Sequence, residues 1–290
     1  MKRALCVGIN DYPGTANDLQ GCVNDALDWK DLLVRYGFSV ETLLNSQAKR
    51  MKILEKLEEY CVYANDGDHI VFTYSGHGTQ AVDMNADEGD GYDEALYLYD
   101  GLLLDDDIRA VLSNLNPDVT FTFISDSCFS GTVTRKIRGG EYVRPRFVPN
   151  PDVKPSAKLI KRLIPEEEMR VMLLSGCSDS EYSYDAFIGG RYNGAFTRWA
   201  INTFDSGLLF SEWYKLIRDI LPSAAYPQTP QLEGVKKHTL ALGIETGDEE
   251  DPIPDPEPIP DEDHSNWWHW PLVGVILMII TAIAIYFANC

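Results

Sequence analysis

Apolar positions along the first 244 residues follow two rhythms. Short unbroken runs at 4–9, 39–44, 69–74, 119–125, 170–174 and 238–242 predict strands buried on both faces. Between them, apolar residues recur every three or four positions and predict helices over 24–36, 46–63, 106–115, 194–204 and 210–221. In the first of these, Ala26, Leu27, Trp29, Leu32 and Leu33 share a side, and Gly37 follows as a C-terminal cap. In the second, Met51, Ile53, Leu54, Leu57 and Tyr60 do the same. Strands alternating with such helices predict an α/β fold, a mostly parallel sheet with helices on both faces. No internal repeat interrupts it.

Three segments break the pattern. Residues 131–168 have no period and carry Arg135, Lys136, Arg138, Arg144, Arg146, Lys154, Lys158, Lys161 and Arg162, which is long for an ordered connection. Residues 245–266 combine acids with Pro252, Pro254, Pro256, Pro258 and Pro260, a composition that predicts an extended, stiff linker. Residues 267–290 begin with Trp267, Trp268 and Trp270 and continue from Pro271 to Ala288 without a charge. That length approaches the hydrocarbon layer, and tryptophans suit its interface, so a single-pass C-terminal transmembrane helix is expected, a tail anchor on residues 1–244. The apolar run at 4–9 is too short for a signal peptide, which favours a cytoplasmic, reducing setting for the main domain.

Charge sharpens the picture only locally. The chain has 25 basic and 45 acidic residues, a net charge of −20, and ten of the acids lie in 83–107 and ten in 245–263 without a base. Nothing basic is extensive enough to replace phosphate counterions, so a nucleic-acid partner is not expected. The six cysteines show no C-x-x-C and no zinc spacing, which argues against a disulfide framework or structural zinc.

Two strand ends carry the candidate chemistry. The run at 69–74 leads into Ser75-Gly76-His77-Gly78, and the run at 119–125 leads into Asp126-Ser127-Cys128-Phe129-Ser130-Gly131. Ligands of open α/β sheets bind beyond the carboxyl ends of strands. A thiol beside an imidazole ionises more easily, and the imidazolium can then protonate a leaving amine. His77 and Cys128 are therefore the candidate catalytic dyad, and the backbone N–H groups of Gly78 and Cys128 the candidate oxyanion hole.

These motifs, with Leu5-Cys6-Val7-Gly8-Ile9-Asn10, Gly21-Cys22-Val23-Asn24-Asp25-Ala26, Gly176-Cys177-Ser178-Asp179-Ser180-Glu181 and Gly194-Ala195-Phe196-Thr197, resemble a metacaspase over residues 3–243. The resemblance implies a caspase-like fold in 1–244, with 131–168 joining a larger and a smaller half. It implies an acidic pocket walled by Cys22, Asp25, Ser75 and Asp126, and peptide or protein substrates with Arg or Lys before the scissile bond. A carboxylate pocket pairs with those cations and repels Asp. The basic stretch 131–168 is then a ready target for self-cleavage, and a monomer is expected.

The acids of 83–107 invite a hard cation. Asp83, Asn85, Asp87 and Glu94 match EF-hand spacing, but Glu88 stands where that loop needs Gly, so an EF-hand is rejected. The resemblance instead implies Ca²⁺ as an activator on Asp93, Asp105 and Asp106, with Asp90 nearby. The chemistry itself requires no cofactor. The first carboxylate after the nucleophile is Glu141, farther on than in some calcium-dependent relatives. Rival readings are a caspase-fold protease of different specificity, a catalytically silent membrane scaffold, and an acidic calcium sensor.

Overall fold

The computed structural model describes residues 1–82, 92–113, 115–129, 144–150, 171–178 and 181–247. The expected linker at 245–266 lies outside these beyond residue 247, as do the anchor at 267–290, most of 131–168, Asp90 and Glu141. Among the described residues no helix is long and apolar enough to cross a membrane.

The elements in chain order are β1 (Lys2–Gly8), α1 (Cys22–Arg35), β2 (Ser39–Leu44), α2 (Arg50–Val62), β3 (His69–Ser75), β4 (His77–Val82), β5 (Tyr92–Leu98), β6 (Gly101–Leu104), α3 (Asp105–Leu112), β7 (Thr120–Asp126), β8 (Arg144–Pro145), β9 (Val171–Ser175), β10 (Tyr184–Ile188), β11 (Arg191–Gly194), α4 (Ala195–Thr203), α5 (Phe210–Arg218) and β12 (Gln231–Glu233). Six strands form the main sheet in the order β12-β9-β7-β3-β1-β2, parallel except for β12.

Successive side chains of a strand face opposite ways, and here both faces are covered. Ala4, Cys6, Val71, Ile124 and Leu174 pack with residues of α1, α4 and α5. Leu5, Val7, Ile70, Phe72 and Phe121 pack with residues of α2 and α3. This double burial is why the strands read as continuous apolar runs. Register sets the working edge: Gly8 lies opposite Ser75, and Ser75 opposite Asp126, so β1, β3 and β7 end in one row.

The expected strand at 238–242 does not form. Ala241–Gly243 is a 3-10 turn with Leu242 at φ 57°, and Leu242 and Ile244 are buried in the core. The segment is apolar because it plugs the core, not because it joins a ladder. The edge strand is β12, which offers only Leu232 as an apolar signal. Two small antiparallel sheets, β4-β5-β6 and β11-β10-β8, also went unread, because their short mixed strands pair locally without a buried period.

Candidate active site

The chain leaves β3 at Ser75, turns at Gly76 and presents His77, whose peptide is gripped from both ends. Its N–H donates to the Tyr12 hydroxyl at 2.8 Å, and the Tyr74 hydroxyl donates to its carbonyl oxygen at 2.7 Å. The Tyr12 ring lies 4.8 Å from the imidazole. On the ring, Nε2 sits 2.6 Å from the Asn17 carbonyl oxygen. A carbonyl only accepts, so Nε2 carries the proton and Nδ1 is the basic nitrogen. Nδ1 is buried and has no hydrogen-bond partner. Burial pushes the imidazole down to about 4, so it is neutral near pH 7.

Cys128 follows β7 by two residues and is fully buried. Its sulfur accepts the Ser183 N–H at 2.6 Å, and its thiol reaches the Ser183 carbonyl oxygen at 3.4 Å. The Gly78 and Cys128 N–H groups converge on one oxygen, the carbonyl of Arg146, at 3.0 and 3.2 Å. The approach is so close that a Cβ on Gly78 would strike the Cys128 carbonyl. Both residues expected at the oxyanion hole therefore donate to the same carbonyl.

Arg146 also fills the pocket. Its guanidinium is fully buried, with Nη2 donating to Asp25 at 2.7 Å and to Asp185 at 3.0 Å. Nη1 lies 3.3 Å from the Ser75 hydroxyl oxygen, 3.1 Å from the Asp126 carbonyl and 3.2 Å from the Asp126 carboxylate. Cys22 is buried close enough for the guanidinium to act on its thiol. Three of the four expected wall residues, Asp25, Ser75 and Asp126, are thus brought together around one arginine, with Cys22 buried near them.

Each carboxylate is fixed from behind. Asp25 accepts from the Ser75 hydroxyl at 2.9 Å, the Asn193 amide at 3.0 Å and the Gly194 N–H at 2.9 Å. Asp126 accepts from the Thr197 N–H at 2.9 Å, the Thr197 hydroxyl at 2.7 Å and the Ser183 hydroxyl. Asp185 accepts the N–H groups of Gln20 at 2.7 Å and Gly21 at 2.9 Å. Gly194 has no room for a side chain, since a Cβ would collide with the Asp126 carboxylate and the guanidinium. With three acids to one cation, burial pushes the Asp25 carboxyl up to about 6 against the pull of Arg146.

Arg146 belongs to a segment that runs through the groove as a strand. Tyr184 pairs with Pro145 and Asp185 with Arg144, antiparallel, and the Arg146 N–H donates to the Ser183 carbonyl at 3.0 Å. Beyond it, Phe147 bridges Gly78 in parallel, and the Val148 N–H donates to the Gly78 carbonyl at 3.1 Å. The Arg144 guanidinium reaches the Asp18 carbonyl at 2.6 Å, and the Phe147 ring lies 6.3 Å from that of Tyr182.

Asn17, Asp185 and Tyr12 escaped the sequence reading. Asn17 contributes a backbone carbonyl, which any residue has, and Asp185 sits in a hairpin with no motif around it. Arg146 was one of nine basic residues with nothing to single it out.

The expected calcium ligands lie on two adjoining elements, with Asp93 and Asp106 close enough to act on the Asp105 carboxyl. Asp93 is buried on β5, while Asp105 and Asp106 open α3. Arg109 lies 3.4 Å from Asp105 and 3.2 Å from Asp106, supplying one turn later the positive charge a cation would bring. Among the described residues no three His, Cys, Asp or Glu are arranged to hold a metal ion. Burial pushes the Asp105 carboxyl up to about 7, and its Oδ1 is buried without a hydrogen-bond partner.

Residues 2–136 match the metacaspase, peptidase C14 domain family. The chain is 38% identical over 147 residues to Metacaspase-1 of Kluyveromyces lactis, covering 46% of this chain and 34% of that protein. It is 39% identical over 141 residues to Metacaspase-4 of Arabidopsis thaliana, covering 45% and 34%. A longer match, 29% identical over 282 residues, links it to Metacaspase-1A of Aspergillus fumigatus, covering 80% and 68%. The matched part thus spans about a third of the length of the first two relatives. A crystal structure of a protein from Geobacter sulfurreducens shares the fold, with a TM-score of 0.67 at 27% identity, covering 84% of this chain and 99% of that one.

Proposed function

We propose that this chain is a cysteine endopeptidase that cleaves after Arg or Lys, with Cys128 as nucleophile and His77 as proton carrier. One observation carries the reading: Arg146 lies in a pocket of three carboxylates while its carbonyl oxygen accepts from Gly78 and Cys128. That is the arrangement a substrate residue needs just before its bond is cut. Cys128 passes its proton to His77 Nδ1 and attacks the carbonyl carbon. The oxygen gains charge against the two N–H groups, each of which such sites make worth about 10²–10³ in rate. His77 then protonates the departing amine, and afterwards takes a proton from the water that releases the acyl group from the thiol.

The pocket supports the choice of side chain. Its three acids want a cation, and an aspartate there would add a fourth negative charge. Arginine can fork between Asp25 and Asp185 with one nitrogen and reach Ser75 and Asp126 with the other, which lysine cannot do with a single ammonium. Self-processing follows from the same reading, with Arg146–Phe147 as the bond in place. The test is turnover of Arg-, Lys- and Asp-ended fluorogenic peptides by the full chain and Cys128→Ala, with sequencing of any new N-terminus. Arg-selective turnover lost in the variant, and a fragment beginning at Phe147, are expected. Preference for Asp, or no turnover by a folded chain, would overturn it.

Two further readings belong here. A calcium effect would act through the acids around Asp93, Asp105 and Asp106, with the partnerless Oδ1 of Asp105 as its support; turnover falling in chelator and returning with Ca²⁺ is the expected sign. Residues 267–290 are proposed to hold the peptidase to a membrane on its cytoplasmic side, as a monomer. Carbonate-resistant membrane association lost on truncation before Trp267 checks the anchoring.

A further inference from the structure

The mechanism leaves one thiol beside the nucleophile without a task. Strands β7 and β9 are parallel neighbours with Ser125 opposite Ser175, so the chain two residues on brings Ser127 beside Cys177. The contact is direct: the Cys177 thiol reaches the Ser127 carbonyl oxygen, the peptide that leads into Cys128, at 3.4 Å. The Gly176 N–H donates to the Ser125 carbonyl at 2.8 Å and locks the two strand ends together. Cys128 is the residue directly after the Ser127 that faces Cys177, so the two cysteines are neighbours across the strand ends. The Cys177 thiol is thus held against the peptide of Cys128, and its pKa is raised above the usual thiol range by hydrogen bonding toward Cys128 and by burial. Both are free thiols.

We propose that Cys177 is the resolving thiol for an oxidised Cys128, making the pair a modification site that switches the enzyme off reversibly. This rests on Cys128 being the nucleophile, as proposed above. A peroxide converts the Cys128 thiol to a sulfenic acid, with the oxidant reduced to water or alcohol. The Cys177 sulfur then attacks the Cys128 sulfur, the hydroxyl leaves as water with the Cys177 proton, and a disulfide remains. A dithiol reductant returns both thiols and is itself oxidised. Without a thiol at 177, continued oxidation takes Cys128 to the sulfinic acid, which a dithiol does not reverse. Access is set by the groove: the segment around Arg146 covers Cys128, so oxidation proceeds on enzyme whose groove is open.

Tryptic mapping reads this directly, because residues 110–135 contain Cys128 and residues 171–191 contain Cys177, with no other cysteine in either peptide. The full chain and Arg146→Ala, which loses the buried guanidinium that anchors the cover, are treated with hydrogen peroxide and digested without reductant. The expected product is 110–135 joined to 171–191, together with loss of peptide turnover that dithiothreitol restores to the untreated level. In Cys177→Ser the loss persists after dithiothreitol, and Cys128 carries two added oxygens. A Cys128 that reaches the sulfinic acid beside a free Cys177, a bridge to Cys22 instead, or an unmodified Cys128 in both chains would overturn the proposal. The joined peptide is read without turnover, so a chain that forms it yet cleaves no substrate would refute the peptidase reading and leave the thiol pair standing.

Discussion

Asn17 lends the imidazole only a carbonyl, yet that carbonyl decides which ring nitrogen is basic. Because Nε2 must donate to it, Nδ1 is left as the basic nitrogen, the one the proposed mechanism uses, and burial keeps it unprotonated down to about pH 4. In the unfolded chain the same group takes a proton near pH 6.5. The unfolded state therefore binds more protons between those values, and the stability of the buried neutral ring is complete above about pH 6.5 and lost as pH falls towards 4. His69, also lowered by burial, adds to the slope. Asp25 and Asp105, whose carboxyls burial raises, act in the opposite sense over this range, so the His77 share is read as a difference: the urea midpoint of the parent chain relative to His77→Gln should fall between pH 7 and 4.

Asp185 supports a second prediction at this scale. Removing its charge as Asp185→Asn takes one of two carboxylates from Nη2 of a bound arginine. A charge-assisted bond of about 1.5–3 kcal/mol corresponds to a drop in kcat/KM for Arg-ended peptides of about tenfold to a hundredfold, while Cys128 still reacts with a small alkylating agent at its former rate. Cys22, Asp25, Ser75 and Asp126 were legible because motifs carry them. Asp185 was not, since its partners Gln20 and Gly21 lie far away in sequence and meet it only through the fold.

Among the elements, β8 shows how little a strand needs of its own. It is two residues long and includes a proline, which makes poor strand material by propensity. It forms because the groove supplies Ser183 and Gly78 as hydrogen-bonding neighbours and because Arg146 is held beside it. Sequence periodicity cannot register an element whose order comes from the site it occupies. Arg146→Ala should release this segment: cleavage at 146–147 stops, and turnover of added Arg-ended peptide begins without a lag. A lag unchanged from the parent chain would show that the segment does not obstruct the groove. By contrast β1, β3, β7 and β9 were plain in the sequence, because burial on both faces forces continuous apolar runs.

At the scale of the whole fold, the described residues within 1–247 are held by two cores on opposite faces of one sheet. In one, Trp213 is fully buried, meets Trp29 edge to face at 6.2 Å and donates its indole N–H to the Ala200 carbonyl at 2.9 Å. Trp213→Ala removes that packing and one of the carbonyl's donors, at a cost of about 3–5 kcal/mol. A fall of that size in unfolding free energy by urea denaturation is expected, with little change in substrate preference, since the pocket hangs on residues of other elements.

The site is gathered from Tyr12 to Thr197, and this has a bearing on how the protein is made. During synthesis the chain carries His77 and Cys128 well before Ser183, Asp185, Asn193 and Thr197 leave the ribosome. Until they do, Asp126 lacks Ser183 and Thr197, Asp25 lacks Asn193 and Gly194, and Cys128 lacks the N–H of Ser183. The sheet is equally unfinished, since β12 closes it only after residue 231. Cys128, the proposed nucleophile, therefore emerges before the pocket that would direct it is complete, so the site is finished only near the end of synthesis.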